Sequence, residues 1–224
     1  MPGTEQLEQV PFDPGARLPE VADVWWRTPV DTDRLAHIEW LSAAFTSVYV
    51  APFFILGALL VTLEPLLAAV SLLCLVHAWV IPELFAYRGA RVLAFEPSSA
   101  PPGVRGPGNK GLLADLLDRR PAAIEEATGA VVECGRLGVW VLAENGALLV
   151  RPGGRRVHAF CVAVKDPGLR RCDRIAHLLL ALRQDETGFA TVANHAFAGA
   201  TWRLRRRLPP GRRAALKAAV SLSR

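Results

Sequence analysis

The residues best suited to chemistry in this sequence are histidines and cysteines, four of which lie close enough along the chain to suggest a zinc site. His158, Cys161, Cys172 and His177 offer imidazole and thiolate groups, which are ordinary zinc ligands. Their spacing argues against a shared ion, because there is no CxxC pair and residues three apart on a strand point to opposite faces. We therefore expect buried thiols, and we predict neither a metal nor a cofactor.

A cysteine nucleophile activated by a histidine is a second possibility. Cys134 or Cys161 could pair with His177 or His195. A chain with four cysteines and five histidines permits many such pairs, and no spacing distinguishes one of them. The sequence identifies no catalytic residue, and a protein without enzymatic activity is the favoured expectation.

The segment LLVRPGGRRVHAFCVAVKD, from Leu148 to Asp166, resembles the sheet of restriction-endonuclease-like domains such as the nuclease-related NERD family. The resemblance rests on topology and one short motif, and it implies a helix, three strands, a helix and a further strand. It also implies a divalent-metal site built from an acid on the second strand and an acid-x-Lys motif on the third. Lys165 matches the lysine, but Ala163 occupies the acidic position and Ala147 to Val150 carry no acid. One alternative is therefore a divergent nuclease-like domain that lacks the usual metal-binding acids.

Basic residues are concentrated near the end of the sequence. The candidate surface for an anionic partner comprises Arg203, Arg205, Arg207, Arg212 and Arg213. Apolar and basic residues alternate from Thr201 to Leu208, which predicts a strand with its arginines facing solvent, and Arg212 to Leu222 is predicted as a basic amphipathic helix. Phosphates of anionic lipids or of a nucleic acid would suit this surface, which could equally remain solvated. Nucleic acid is the less favoured partner, since few aromatic residues are available for base stacking.

His77 is an ionisable residue within a long apolar segment. Such residues in membrane helices often belong to functional sites, so His77 is a candidate for a proton relay or a ligand contact. The structural alternative is a neutral imidazole bonded to Tyr49 or to the Val48 carbonyl, which Pro52 would free from its helix.

Two apolar runs, Leu41 to Leu63 and Leu66 to Tyr87, are separated by only two residues. About 20 helical residues span the ~30 Å hydrocarbon layer of a bilayer, so each run is long enough to cross it. We predict a transmembrane helical hairpin over residues 34–95. Counting outward from the turn pairs Ala58 with Ser71 and Pro52 with His77, and small residues near these positions allow close approach.

Basic residues flank both outer ends of this hairpin, whereas its turn carries none. They are Arg27, Arg34, Arg88 and Arg91. This distribution predicts an inner-membrane protein of bacterial type with both termini in the cytoplasm. Residues 1–33 are predicted to form an irregular cytoplasmic arm, whose Trp25 and Trp26 would lie either at headgroup level or against the soluble domain. Residues 96–110, rich in proline and glycine, are predicted to be a linker that lets the domain move.

Residues 111–224 are enough for one small cytoplasmic domain. The Asn145-Gly146 and Gly153-Gly154 turns predict an antiparallel meander of Val139–Ala143, Ala147–Arg151 and Arg156–Val164, because Asn-Gly supplies the positive φ of a tight hairpin. Short helices are predicted after Asn109 and Pro121 and from Arg174 to Arg183, and Phe189–Ala193 is predicted as a returning strand. The predicted class is α+β, with a mainly antiparallel sheet packed by helices.

Composition agrees with this organisation. The chain has 224 residues, 51% of them hydrophobic, and the excess is concentrated in the two apolar runs. Four cysteines, one inside an apolar run, are a poor basis for a disulfide framework and fit a reducing compartment. We predict a membrane-anchored scaffold or accessory domain whose partners are the bilayer and either another protein or a second copy. The alternatives are a membrane-tethered nucleic-acid-binding domain and the nuclease-like domain.

Overall fold

The computed structural model describes residues 17–93, 111–117, 119–162 and 169–224, and it joins two long helices to an α+β domain. The helical part comprises α1 (Glu20–Asp23), α2 (Thr32–Leu63), a 3₁₀ turn (Pro65–Leu67) and α3 (Ala68–Arg91). The domain contains α4 (Gly111–Leu116), α5 (Arg119–Thr128), β1 (Val131–Cys134), β2 (Val139–Ala143), β3 (Gly146–Val150), β4 (Arg156–Cys161), α6 (Arg171–Gln184), α7 (Glu186–Val192), β5 (Asn194–Ala200), α8 (Thr201–Arg207) and α9 (Pro210–Leu222). The predicted α+β class with an antiparallel sheet is confirmed.

The helices α2 and α3 pack against each other as an antiparallel pair. Asp31 caps the start of α2 by accepting a hydrogen bond from the backbone N–H of Arg34 at 2.7 Å. Gly57 allows close contact, since a Cβ there would lie 3.2 Å from the Ser71 carbonyl oxygen. Phe53 stacks on His77 with ring centroids 5.6 Å apart, which agrees with the depth predicted by counting from the turn. By length and composition, both helices are able to cross a membrane.

The sheet has five antiparallel strands in the order β1-β2-β3-β4-β5. The predicted meander forms its central strands, β2, β3 and β4. The reason given for the Asn145-Gly146 turn is corrected. Gly146 does not have a positive φ, and it is instead the first residue of β3, paired with Ala143. A Cβ on Gly146 would lie 2.4 Å from Cγ1 of Val92, so the glycine is needed where the end of α3 approaches the sheet.

Helices cover both faces of the sheet, and β2 and β3 are buried throughout. One face packs against the end of α3 together with α8 and α9, through residues such as Ala90, Leu204 and Leu216. The other face packs against the start of α2 together with α4, α6 and α7, through residues such as Leu35 and Leu179. This three-layer arrangement explains why the central strands are apolar at every position instead of alternating.

The long helices hold the domain by one edge of its sheet. The start of α2 lies on one face and the end of α3 on the other, with the edge strand β5 between them. Ser42 of α2 donates a hydrogen bond to the Ala198 carbonyl oxygen at 2.9 Å. On the α3 side, Gly89 packs so closely on Phe197 that a Cβ would lie 2.6 Å from its ring. The hairpin thereby covers an edge strand that would otherwise be open to other chains.

A direct ion pair also joins the domain to the helix pair. Arg207 of α8 donates to Glu83 of α3 at 2.6 Å. The predicted linker, residues 96–110, lies outside the described residues. Movement of the domain relative to the hairpin therefore stays a prediction.

The described part of the N-terminal arm, from residue 17, lies on the domain. Arg27 donates to the Val192 carbonyl oxygen at 2.9 Å, at the end of α7, and the Val30 N–H donates to Oγ1 of Thr191 at 3.0 Å. Trp25 and Trp26 project outward, with 81% and 64% of their surface exposed. Of the two predicted placements for these tryptophans, packing on the domain is therefore excluded.

Two predicted strands are helical. The segment Phe189–Ala193 forms the end of α7, and the strand begins at Asn194. The segment Thr201–Leu208 forms α8, with Thr201, Leu204 and Leu208 buried at helical spacing and Trp202 exposed. Alternation of apolar and basic residues over so short a segment fits either period, and packing against α3 favours the helix.

Candidate functional site

Three ionisable side chains meet where the start of α2 lies on the sheet. His158 of β4 is fully buried, and its Nε2 lies 2.9 Å from Oε1 of Glu39. On the other side of the same ring, Nδ1 of His158 lies 3.2 Å from Nε2 of His195 on β5. We call Glu39, His158 and His195 the histidine junction.

Two arginines add positive charge beside the histidine junction. Nε of Arg151 lies 3.6 Å from Oε1 of Glu39, and Nε of Arg156 lies 4.0 Å from Oε2. These guanidinium groups favour the ionised carboxylate of Glu39.

Both imidazoles of the junction are held neutral. Burial lowers the pKa of His158, and the hydrogen bond to Glu39 raises it only in part. The pKa of His195 is lowered to about 4, first by burial and then by electrostatic interaction with His158. His195 also has an exposed side, where contact with water opposes the effect of burial.

The neutral rings define the direction of the hydrogen bonds. Nε2–H of His158 donates to the Glu39 carboxylate, which leaves Nδ1 of His158 as an acceptor for Nε2–H of His195. The remaining Nδ1 of His195 then carries a lone pair. This series of hydrogen bonds can orient the His195 ring and pass a proton between His195, His158 and Glu39.

The geometry of the junction does not suit a single metal ion. Glu39 and His195 approach opposite nitrogens of the His158 ring, so the three groups do not converge on one point. Within the described ranges, no group of three or more histidine, cysteine or acidic side chains is placed to hold a metal.

The cysteines and histidines selected from the sequence are spread over the domain. His158 faces the interior and Cys161 is exposed, so these two point apart as predicted. The expectation of buried thiols in the domain is wrong, since Cys134 is also exposed and Cys172 is partly exposed. Burial and the neighbouring Asp173 raise the pKa of the Cys172 thiol, which reduces its nucleophilicity.

The other predicted partners in the domain are not brought together with them. His177 is exposed on α6, whereas His195 belongs to the histidine junction. Lys165 and Ala163, which carry the nuclease resemblance, lie outside the described residues. The described domain has four strands before α6, not the three that this resemblance implies.

His77 of α3 is exposed, although its ring stacks on Phe53 of α2. Its Nδ1 lies 2.8 Å from the Leu73 carbonyl oxygen one turn earlier in the same helix. The predicted bonds to Val48 or Tyr49 are therefore not formed. A functional role for His77 stays a prediction.

The five arginines of the predicted anionic surface occupy different environments. Arg212 is only 4% exposed, and its Nη1 donates to the Thr128 carbonyl oxygen at 2.9 Å. Burial, followed by the charge of Arg171, lowers the pKa of Arg212 to about 10. Its placement on the surface was wrong, because this side chain ties α9 to the end of α5.

Two more of these arginines form hydrogen bonds within the protein. Arg207 pairs with Glu83, and Arg213 donates to the Leu208 carbonyl oxygen at 2.7 Å, just after α8. Arg203 and Arg205 remain, and both line an open cleft of about 1130 Å³ between the base of the hairpin and the domain. Binding of an anionic partner to these residues stays a prediction.

This cleft, which we call the basic cleft, is lined by apolar, hydroxyl and basic side chains. The helix pair contributes Ser42, Ala43, Thr46, Ser47, Pro82 and Phe85. The domain contributes apolar residues such as Phe197 and Leu216 and the basic residues Arg155, Arg156, Arg203, Arg205, Lys217 and Arg224. The described residues that line the cleft include no aspartate or glutamate.

The sequence did not reveal the histidine junction, because its members are far apart along the chain. Glu39 and His158 are 119 residues apart, and His158 and His195 are 37 apart. One signal was available: Glu39 comes one helical turn after Leu35, on the same face, directly before the first apolar run.

Comparison with known proteins identifies no relative of this chain. No protein-family profile, curated protein or solved structure matches the chain.

Proposed function

We propose that this protein is a membrane-anchored binding domain, held by a transmembrane hairpin at the cytoplasmic surface of a bacterial inner membrane. The observation that carries the proposal is the apolar surface of α2 and α3. In the apolar 18-residue stretch of each helix, only 6% of the first and 11% of the second are buried within the chain. Large side chains such as Phe54, Ile55 and Leu72 are exposed all along the pair, an arrangement that suits lipid and not water.

The orientation rests on charge. Arg34, Arg88 and Arg91 lie at the end of the hairpin that contacts the domain, whereas the turn carries only Glu64. Because basic residues favour the cytoplasmic side, this supports a cytoplasmic domain with both termini on the same side.

We propose that the domain acts by binding and not by catalysis. The histidine junction has the geometry of a proton relay, but the His158 imidazole is used to join α2 to the sheet, and the His195 imidazole bonds to that of His158. The protein would work as a scaffold or accessory subunit, with a second protein or another copy of itself as partner.

Fractionation of cells that express the full chain tests the anchoring. We expect the protein to remain in the membrane pellet after alkaline carbonate washing and to be released by mild detergent. Recovery in the soluble fraction in plain buffer would contradict the proposal.

The binding role is tested by purification in mild detergent. A partner retained in fixed stoichiometry, or a defined oligomer by light scattering, is the expected result. A monomeric polypeptide that turns over a substrate would contradict a non-catalytic role.

A second candidate function, nucleic-acid binding, is favoured by one observation. Trp202 is 49% exposed, and the guanidinium carbons of Arg203 and Arg206 lie 5.1 Å and 4.9 Å from its ring centroid. An exposed ring among arginines suits base stacking as well as a membrane interface. Binding of single-stranded DNA that weakens steeply with salt would favour this candidate.

A further inference from the structure

The basic cleft lies at the level where a bilayer would end, if the hairpin crosses it as proposed above. About 20 helical residues span the hydrocarbon layer. Counting 20 residues back from Leu63 in α2 reaches Ala43, and counting 20 forward from Leu66 in the 3₁₀ turn reaches Ala86 in α3. Ala43 lines the cleft, as does Phe85 beside Ala86. The cleft therefore opens between the hydrocarbon edge and the domain.

The positive charge of the cleft lining suits an anionic ligand. The basic residues that line it are Arg155, Arg156, Arg203, Arg205, Lys217 and Arg224, and the described lining contains no carboxylate side chain to neutralise them. Among the basic residues of this lining, and within the described part of the chain, Arg156 alone forms an ion pair with an acidic side chain, its Nε lying 4.0 Å from Oε2 of Glu39. Arg207, Arg212 and Arg213 are engaged elsewhere, which separates the cleft from the rest of the basic surface.

The remaining walls suit a ligand that is only partly polar. Pro82 and Phe85 line the cleft from α3, and Phe197 and Leu216 line it from the domain. Trp202 stands in the same lining, and tryptophan is favoured at headgroup level. The volume of about 1130 Å³ is far larger than one phosphate ion needs.

We propose that the basic cleft binds the phosphate headgroup of an anionic phospholipid from the cytoplasmic leaflet, with the start of the acyl chains against Phe85 and α2. The chemistry recognised is a phosphate, and the source is lipid, because the cleft combines apolar side chains such as Pro82 and Phe85 near the hydrocarbon edge with cationic side chains of the domain. A nucleic acid would use the cationic side chains but would leave Pro82 and Phe85 without an apolar partner.

The test uses the full chain reconstituted in nanodiscs of phosphatidylcholine with a minor fraction of phosphatidylglycerol. Native mass spectrometry after release counts the lipids of each class that stay bound. We expect phosphatidylglycerol to be retained well above its share of the bilayer.

The cleft variant carries Arg203→Gln and Arg205→Gln. Basic residues near an anionic surface contribute ~1 kcal/mol each, so this variant should lower the preference for phosphatidylglycerol by about 10- to 30-fold. The matched control carries Arg17→Gln and Arg136→Gln, which removes the same charge from exposed side chains outside the cleft lining. The control should change the preference by less than about twofold. If the cleft variant does not fold, the single variant Lys217→Gln takes its place, with an expected loss of about fivefold.

Three results would overturn the proposal: no preference for phosphatidylglycerol, an equal loss in the control, or displacement of the lipid by inorganic phosphate or duplex DNA. The inference rests on the proposed membrane anchoring, and the two fail differently. A protein that stays in carbonate-washed membranes but shows no lipid preference removes this inference alone, whereas a protein found in the soluble fraction removes the anchoring as well.

Discussion

At the scale of single residues, Glu39 joins the first long helix to the interior of the domain. Its carboxylate is the acceptor for buried His158 and lies near two guanidinium groups. A buried imidazole that loses its partner keeps the full cost of desolvation.

We predict that Glu39→Ala lowers the free energy of unfolding by about 1–3 kcal/mol, because the Nε2–H of His158 is left without an acceptor. Urea denaturation in detergent micelles measures this change. Glu20→Ala is the control, since Glu20 is exposed and a substitution there should fall within about 0.5 kcal/mol of the parent. Equal effects of the two substitutions would contradict the role given to Glu39.

The lowered pKa values of His158 and His195 predict a pH dependence. Below the ordinary histidine pKa of 6.5, the unfolded chain takes up protons while the folded chain resists until a lower pH, about 4 for His195. The unfolded state then binds more protons, so stability falls as the pH is lowered through this range. Glu39, Arg151 and Arg156 face the same histidines, and their charges are part of the balance.

Thermal unfolding at a series of pH values measures this dependence. The parent should lose stability from about pH 6.5 downward, and His195→Gln should show a shallower loss. An unchanged pH profile in His195→Gln would rule out the contribution of this residue.

The orientation of single side chains was predictable from the sequence, but their distant partners were not. The opposed directions of His158 and Cys161 follow from strand geometry, and the structure agrees. The partners of His158 do not follow, since they come from a different helix and a different strand. Likewise, nothing local distinguishes the exposed Arg205 from the buried Arg212.

At the scale of elements, the hairpin and the domain are joined at the β5 edge of the sheet. The end of α3 and the start of α2 cover the two faces of the sheet beside β5, and close approach at Gly89 and Gly146 brings α3 onto it. Substitution of these glycines therefore acts on the joint between the hairpin and the domain.

We predict that Gly89→Ala destabilises the protein by about 1–3 kcal/mol, because its Cβ would lie 2.6 Å from the Phe197 ring and force the two elements apart. The matched control is Gly211→Ala in α9, where a Cβ meets nothing within 4 Å. The control should be neutral or slightly stabilising, as alanine is the better helix former. Denaturation in micelles compares the two, and a tolerated Gly89→Ala would contradict the tight joint.

Long or strongly patterned elements were predictable, and short ones were not. The apolar runs and the meander around Asn145-Gly146 appear where the sequence places them. The segments around Phe189 and Thr201 were assigned as strands because a period of two and a helical period agree over so few residues. Their helical form depends on tertiary packing, of α8 against α3 and of α7 against α6 and Trp140 of the sheet.

At the scale of the whole molecule, hairpin and domain form one packed unit in the described structure. Direct contacts through Ser42, Glu83 and Gly89 hold the sheet edge to the helices. If the hairpin crosses a bilayer, the domain is therefore held in a defined orientation at the surface. The basic cleft would then face the headgroups in every copy of the protein.

The most direct measurement is the sidedness of cysteine labelling with a membrane-impermeant maleimide. Cys134 and Cys161 are exposed on the domain. The account predicts that both are labelled in inverted inner-membrane vesicles and protected in intact spheroplasts. A cysteine introduced by Glu64→Cys at the hairpin turn, in a chain with Cys134→Ser, Cys161→Ser and Cys172→Ser, should show the opposite pattern. Labelling of the domain and the turn from the same side would contradict a hairpin that crosses the membrane.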